Sequence, residues 1–255
     1  MKNRVFLFGV TGLIGKGFLK NLLLNDYKVV IADTPSSNLK RLATKNSLHY
    51  LEIDASNETD MISKINKSKN IYGGFDHIIF NVAITSEYLK KNFDNPFPEI
   101  ENYPTELWKK TIDVNLTAFF IFVREFLKIL KKNKTSTIIA TSSHYGVVSP
   151  DPTLYENQNF NSFPGYSASK SGLIGLSKWF AAYLSKYNIR VNTISPGGIK
   201  NKHNDEFLKR YSSKTMLKRM GTPDEIASCL LFLLDKKNSY TTGQNFIIDG
   251  GFSSL

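Results

Sequence analysis

The stretch Phe8-Gly9-Val10-Thr11-Gly12-Leu13-Ile14-Gly15 joins a short apolar run, residues 4–8, to an amphipathic run, residues 16–24. Glycine lacks a Cβ, so three of them in one turn let the chain bend tightly and bring its backbone against another group. The helix that follows points free N-terminal amides at whatever occupies the turn, and its dipole favours an anion there. Strand, glycine turn and helix in this order form a pyrophosphate cradle, with Gly9, Thr11, Gly12, Leu13, Ile14 and Gly15 as candidate cofactor contacts. Tight strand-to-helix packing alone would also select glycine at these positions.

Outward from that turn, short β-branched or aromatic runs alternate with longer amphipathic ones. Strands are expected at residues 4–8, 28–32, 49–53, 77–81, 137–141, 190–194 and 245–248, with helices between them. Near-continuous apolar runs such as Ile78, Ile79 and Phe80 suit strands buried on both faces. The pattern predicts an α/β fold: one doubly wound parallel sheet of about seven strands, covered by helices on both faces. No repeat or linker divides the chain, so residues 1–255 read as a single domain. Polar, aromatic excursions at residues 85–104 and 147–165 follow strand ends, where open α/β sheets place ligands. Residues 198–219 form a third candidate substrate loop, and a plain surface excursion is the alternative for the first two.

The chain has 255 residues, 41% hydrophobic and 22% charged, which excludes a stapled mini-protein and wholesale disorder. A single cysteine, Cys229, closes no intrachain disulfide and points to a reducing compartment, the cytoplasm. The net charge of +11 comes mostly from dispersed lysines without an arginine-rich stripe. Solvated surface explains it more simply than nucleic acid, and attraction of a small anionic substrate is the alternative. The apolar start, after Lys2 and Arg4, lacks a small-x-small cleavage site and is not expected to be a signal peptide; no run reaches the roughly 18 residues of a membrane span. The histidines lack ligand spacing, so no metal site is expected.

Two constellations carry chemistry. Asp33 lies 18 residues beyond Gly15, near the offset of the carboxylate that receives ribose hydroxyls. A carboxylate there repels a 2′-phosphate, and Thr34, Pro35 and Ser36 supply no adjacent arginine, so the cofactor is expected to be NAD, with NADP possible. The alternative is an aspartate capping the Pro35 turn. Asp54 and Ala55 follow the third strand, where Asp54 either contacts adenine or caps the helix near 58–65. Tyr166 and Lys170 stand four apart, on one helical face. A phenol with pKa near 10 is a poor base at neutral pH, and a neighbouring ammonium would favour its phenolate. Such pairs also arise by chance in helices.

With these residues the chain resembles the short-chain dehydrogenase/reductase family, in its compact branch, over nearly its whole length. The landmarks are the glycine loop, Asp54, Asn81-Val82-Ala83-Ile84, Asn115 in Asp113-Val114-Asn115-Leu116, Ser142-Ser143-His144-Tyr145-Gly146, Tyr166 with Lys170, Arg190-Val191-Asn192, Pro196-Gly197, and Thr242-Gly243-Gln244 through Asp249-Gly250-Gly251. The resemblance implies a Rossmann-type domain in which Tyr166 is the acid/base, Lys170 lowers its pKa and holds the nicotinamide ribose, and Ser143 binds the reacting oxygen. Asn115 would anchor a water. Pro196, Gly197 and Ile199 would line the nicotinamide side, and Asn81 and Ala83 the adenosine side. Helices at 106–131 and 167–187 correspond to those that pair in family homotetramers, or in a homodimer.

Four departures stand out. The family's Asn-Asn-Ala-Gly signature is degraded to Asn81-Val82-Ala83-Ile84. The middle glycine sits one place early, a register commoner in the longer sugar-nucleotide epimerase and dehydratase branch. Asn201 replaces a frequent threonine. Ser143 and Tyr166 are 23 positions apart, more than the family usually has, and the excess lies in 147–165. Substrate recognition is expected there and at Ser143, His144, Tyr145 and Tyr166; His144 alternatively braces the strand end. The combination also resembles oxidoreductases of bacterial surface-sugar or flagellin-glycan pathways, which implies a small, polar, sugar-derived substrate. The expected activity interconverts a secondary alcohol and a ketone. The alternatives are an NAD-retaining epimerase or dehydratase, and a non-catalytic dinucleotide-binding regulator.

Overall fold

A computed structural model of the chain describes residues 3–133, 135–158 and 160–255. Met1 and Lys2 of the N-terminal stretch, and Asn159 within the 147–165 excursion, lie outside the described residues. Seven parallel strands form one sheet in the order β3-β2-β1-β4-β5-β6-β7. They are β1 (Arg4–Phe8), β2 (Lys28–Asp33), β3 (His49–Glu52), β4 (His77–Phe80), β5 (Ser136–Thr141), β6 (Ile189–Pro196) and β7 (Asn245–Ile248). Each expected strand is present, with ends displaced by at most two residues.

Strand side chains alternate between faces, and here both faces are dry. Phe6, Phe8, Val30, Ala32, Ile78, Phe80, Ile138 and Val191 point to one side and pack under α3 (Glu58–Ser68), α5 (Thr105–Ile112), α6 (Ala118–Leu130) and α7 (Pro164–Leu184). Val5, Leu7, Val29, Ile31, Ile79, Ile139 and Ile194 point to the other, under α1 (Leu13–Leu24), α2 (Ser37–Asn46) and α9 (Pro223–Leu234). The first core is rich in aromatic contacts: Phe6 meets Phe75 edge-on at 5.4 Å and Phe126 at 4.8 Å. Phe119 and Phe122 belong to this core, whereas Phe120, Trp108 and Trp179 are exposed.

The excursions are more ordered than the sequence reading anticipates. Residues 85–104 carry α4 (Ser86–Asn92) and a short turn of 3-10 helix, Ile100–Asn102. Residues 147–165 carry a 3-10 turn, Pro152–Tyr155, and 198–219 carry α8 (Asp205–Ser213), capped by Asn204, whose side chain accepts the Phe207 N–H. A satellite core of Leu154, Phe207, Tyr211 and Met220 joins the last two. Helices α5 and α6 are continuous through a π-turn, Asp113–Thr117.

The core also holds a histidine. His77 of β4 is buried, and among the described residues neither ring nitrogen is hydrogen-bonded. Burial lowers its pKa to about 4, and attraction to Asp76 does not offset this. The folded chain therefore binds fewer protons at His77 than the unfolded chain between pH 6.5 and 4. Stability is intact above 6.5 and declines as pH falls through that window, by on the order of 3 kcal/mol in all. Urea unfolding followed between pH 4 and 7.5 should show a shallower acid decline in His77→Leu than in the parent; parallel curves would contradict this.

Candidate active site

Neighbouring β1 and β4 send their chains in opposite directions at their C-terminal ends, which opens a crevice between Gly9 and Asn81. Gly9 has φ +90°, and a Cβ placed on it would lie 2.6 Å from the Asn81 carbonyl carbon. The Asn81 amide donates to the Gly9 carbonyl oxygen at 2.7 Å. A Cβ on Gly15 would strike that oxygen, so Gly15 serves strand-to-helix packing. Gly12 differs. A Cβ there would meet nothing within 4 Å, and the residue lines the crevice as the N-cap of α1. It has no side chain between the helix amides and an incoming anion, so the loop fits a pyrophosphate. Because α1 begins at Leu13, both Leu13 and Ile14 belong to its first turn rather than to the loop.

A cavity of about 760 Å³ runs from this loop across the strand ends to Tyr211 and Met220. Asp33 stands at its near end. One carboxylate oxygen accepts the Thr11 N–H at 2.7 Å and the Thr11 hydroxyl at 2.8 Å, and the other accepts the Thr34 N–H at 2.8 Å. Asp33 thus binds the glycine loop, while α2 is capped by Ser36. Asp54 accepts the Ser56 N–H and hydroxyl, and the cap of α3 is Asn57, so Asp54 is not the helix cap. Asp54, Ala55, Asn81 and Ala83 all line the same end.

At the far end the first turns of α7 bring Tyr166 and Lys170 to the wall. The Lys170 ammonium donates to the Thr141 carbonyl oxygen at 2.8 Å and lies 5.5 Å from the Tyr166 ring centre. Ser142 donates to the Lys170 carbonyl oxygen at 2.7 Å, fixing α7 on the end of β5. The Ser143 hydroxyl hydrogen-bonds the Tyr166 phenol and accepts the Tyr145 N–H. Burial pushes the Tyr166 phenol above its ordinary value, against the Ser143 bond, and lowers the Lys170 ammonium to about 7. Among the protein groups alone burial is the larger influence: both are neutral more readily than in water, because burial penalises charge.

Asn115 is placed by the π-turn but does not line the cavity. Its Oδ1 accepts the Ile84 N–H at 2.7 Å and its Nδ2 donates to Ser169 at 3.0 Å; Ser169 in turn donates to the Tyr166 carbonyl oxygen. The side chain fastens the start of α7 instead of facing the crevice. Gly15 and Pro196 are also absent from the cavity wall, whereas Gly197 and Ile199 line it. The Pro196 carbonyl oxygen receives His144 Nδ1 at 3.0 Å, so the imidazole does brace the end of β6.

The Tyr166 end of the cavity is roofed by the three excursions. Ser86 donates to the Asn161 carbonyl oxygen, Asn201 to Glu87, Asn204 to Gln158, and Arg210 to the Glu156 carbonyl oxygen. Asn201, where the family often has threonine, is thus bound to α4. Beneath the roof Tyr155, Phe160, His203, Phe207 and Tyr211 line the cavity, and Tyr155 donates to Tyr145 at 2.8 Å. Sequence reading missed these five. The only signal for them was the clustering of aromatics in the two excursions.

The family model described as enoyl-(acyl carrier protein) reductase matches residues 9–253. The chain is 29% identical to post-translational flagellin modification protein A of Campylobacter coli, over 97% of each. It is 26% identical to a 3-alpha-(or 20-beta)-hydroxysteroid dehydrogenase of Mycobacterium tuberculosis, over 95% of this chain and 86% of that one. A crystal structure of a short chain dehydrogenase from Leptospira borgpetersenii with bound NAD+ superposes with TM-score 0.85 at 30% identity, covering 99% of this chain and 93% of that one. The parallel sheet, the glycine crevice and these matches agree: the chain belongs to the short-chain dehydrogenase/reductase family of oxidoreductases.

Proposed function

We propose that the protein interconverts a secondary alcohol and a ketone with NAD, on a polar, sugar-derived substrate, with Tyr166 as acid and base. The observation that carries this reading is the meeting of a phenol, a hydroxyl and a buried ammonium at one end of a crevice whose other end is a glycine loop. In alcohol oxidation the Tyr166 oxygen takes the carbinol proton, and in ketone reduction it returns it. Ser143 hydrogen-bonds the same substrate oxygen and holds it against the phenol. Lys170 offsets the negative charge that Tyr166 carries between those events. Asn115 acts through Ser169 by fixing the turn that carries Tyr166, which leaves any part in a proton relay to its backbone.

When bound, the dinucleotide supplies the hydride acceptor, or the donor in the reverse direction. The Gly12 turn would hold its pyrophosphate and Asp33 its adenine ribose, with Asp54, Ala55, Asn81 and Ala83 around the adenosine. Lys170, Gly197 and Ile199 would flank the nicotinamide. Asp33 supports NAD over NADP, since a 2′-phosphate would meet a carboxylate. The NAD+ in the Leptospira structure and the equal lengths of this chain and the Campylobacter protein support the compact dehydrogenase reading over an epimerase.

The name of the Campylobacter relative supports a glycan-related substrate. Exposed Trp108, Phe120, Trp179 and Tyr183, the last two stacked at 5.0 Å, support subunit pairing through α5 to α7, in a homotetramer or a dimer. No helix among the described residues is long and apolar enough to cross a membrane. Burial raises the Cys229 thiol to about 11, which makes it a poor nucleophile. The single cysteine supports the cytoplasm as compartment.

Tyr166→Phe should lower kcat by about a thousandfold while NADH binding, followed by fluorescence, stays within a fewfold; retained turnover would remove Tyr166 from the acid/base role. In alcohol oxidation kcat/KM should rise with pH as the phenol ionises. Lys170→Met should move that rise upward by about one unit or more, and an unmoved limb in rate profiles from pH 6 to 10.5 would show that the ammonium does not govern the phenol. Asp33→Ala should narrow the ratio of kcat/KM for NAD over NADP by about tenfold or more. An unchanged ratio would assign cofactor choice elsewhere.

A further inference from the structure

The turn at residues 197–200, where the chain leaves β6, is held by backbone partners and by one side chain. The Gly197 N–H donates to the Ile248 carbonyl oxygen at 2.9 Å, and the Lys200 N–H to the Gly221 carbonyl oxygen at 2.9 Å. The Gly221 N–H returns to the Gly198 carbonyl oxygen at 2.9 Å. Between them the Gly198 N–H donates to the Tyr211 phenol oxygen at 2.5 Å. Among the described residues Tyr211 is the only side chain from elsewhere that hydrogen-bonds this turn. Gly197, Gly198 and Ile199 line the cavity, whereas the Asn201 amide just beyond them is engaged with Glu87 of α4.

The glycine pair makes room for the phenol. A Cβ on Gly198 would lie 2.6 Å from the Tyr211 ring carbon that bears the hydroxyl, and one on Gly197 would lie 3.1 Å from the phenol oxygen. The Tyr211 ring is buried, stacks on Phe252 with centroids 5.4 Å apart, and meets His144 edge-on at 6.4 Å. Packing from α8 and from the Phe252–Ser254 turn therefore fixes where the oxygen stands, and the Gly198 amide follows it. Burial keeps the phenol neutral, raising it above its ordinary value against the Gly198 bond. Without that oxygen the Gly198 N–H would face an apolar ring edge, and the turn would be free to shift toward another acceptor.

We propose that Tyr211 is a positioning residue for the nicotinamide end of the cofactor: from α8 its phenol oxygen sets the 197–200 turn against which the nicotinamide seats. This rests on the dinucleotide reading of the cavity, in which Gly197 and Ile199 flank that ring. Tyr211 acts through Gly198, so its effect is the same whichever alcohol is bound. Because α8 belongs to the segment that roofs the Tyr166 end, the bond also links roof and cofactor. A nicotinamide that steadies the turn steadies α8 in return, since coupling between two sites is reciprocal.

Calorimetric binding of NADH and of ADP-ribose, the dinucleotide without its nicotinamide, separates this role from general loosening. Tyr211→Phe keeps the ring and its stack on Phe252. In that variant NADH should bind about fivefold or more weakly than in the parent, and ADP-ribose within about twofold of it. Equal losses for the two ligands mark a merely structural role, and no loss for either shows that the turn does not need the phenol; both outcomes overturn the proposal. A second measurement uses the parent alone and decides the matter where the variant does not fold. Hydrogen exchange of the α8 amides should be slower by about threefold or more with saturating NADH than with saturating ADP-ribose. Equal exchange in the two complexes overturns the proposal. Failure of both ligands to bind the parent overturns the dinucleotide reading and this proposal together, whereas normal binding to the parent with an unaltered variant overturns this proposal alone.

Discussion

The backbone of Gly9 lies so close to that of Asn81 that no side chain fits between them. Around that contact the two central strands diverge, and everything on their C-terminal side follows from the gap they leave. Asn81 bonds back to Gly9, Asp33 reaches over from β2 to hold Thr11, and α1 starts with its amides open to the crevice. The same carboxylate that shapes the loop therefore faces the place where a ribose would lie. Loop geometry and, on the proposed function, cofactor choice share one residue.

At the opposite end burial is the governing term. Lys170 is almost wholly enclosed, held by the Thr141 carbonyl oxygen, and its ammonium is easier to deprotonate than in water. The Tyr166 phenol is harder to ionise for the same reason. Two groups that each resist charge alone can hold opposite charges together, because the attraction between them grows as water is excluded. A phenol and an ammonium held this way answer to what shares the pocket with them, and the Ser143 hydroxyl is the first such influence.

The sheet could be read from the chain because strands dry on both faces leave unbroken apolar runs, as in Val29 to Ala32 and Ile78 to Phe80. The glycine turn, Tyr166 and Lys170 were readable because their spacing is local. Three features were not. The π-turn at Asp113–Thr117 lies, with α5, against α7, a tertiary contact that no helical period encodes. The wall residues Tyr155, Phe207 and Tyr211 meet only after segments some fifty residues apart fold together. The rise of the Tyr166 pKa comes from surroundings, which a four-residue spacing does not report.

The roof over the Tyr166 end has no single owner. Its stitches run from α4 to the 147–165 excursion, from that excursion to α8, and from Asn201 back to α4, so each segment is held by the other two. Transplanting any one of them into a relative would bring hydrogen-bonding groups whose counterparts stayed behind. In this architecture the three segments form one unit, and variation in one is constrained by the state of its neighbours.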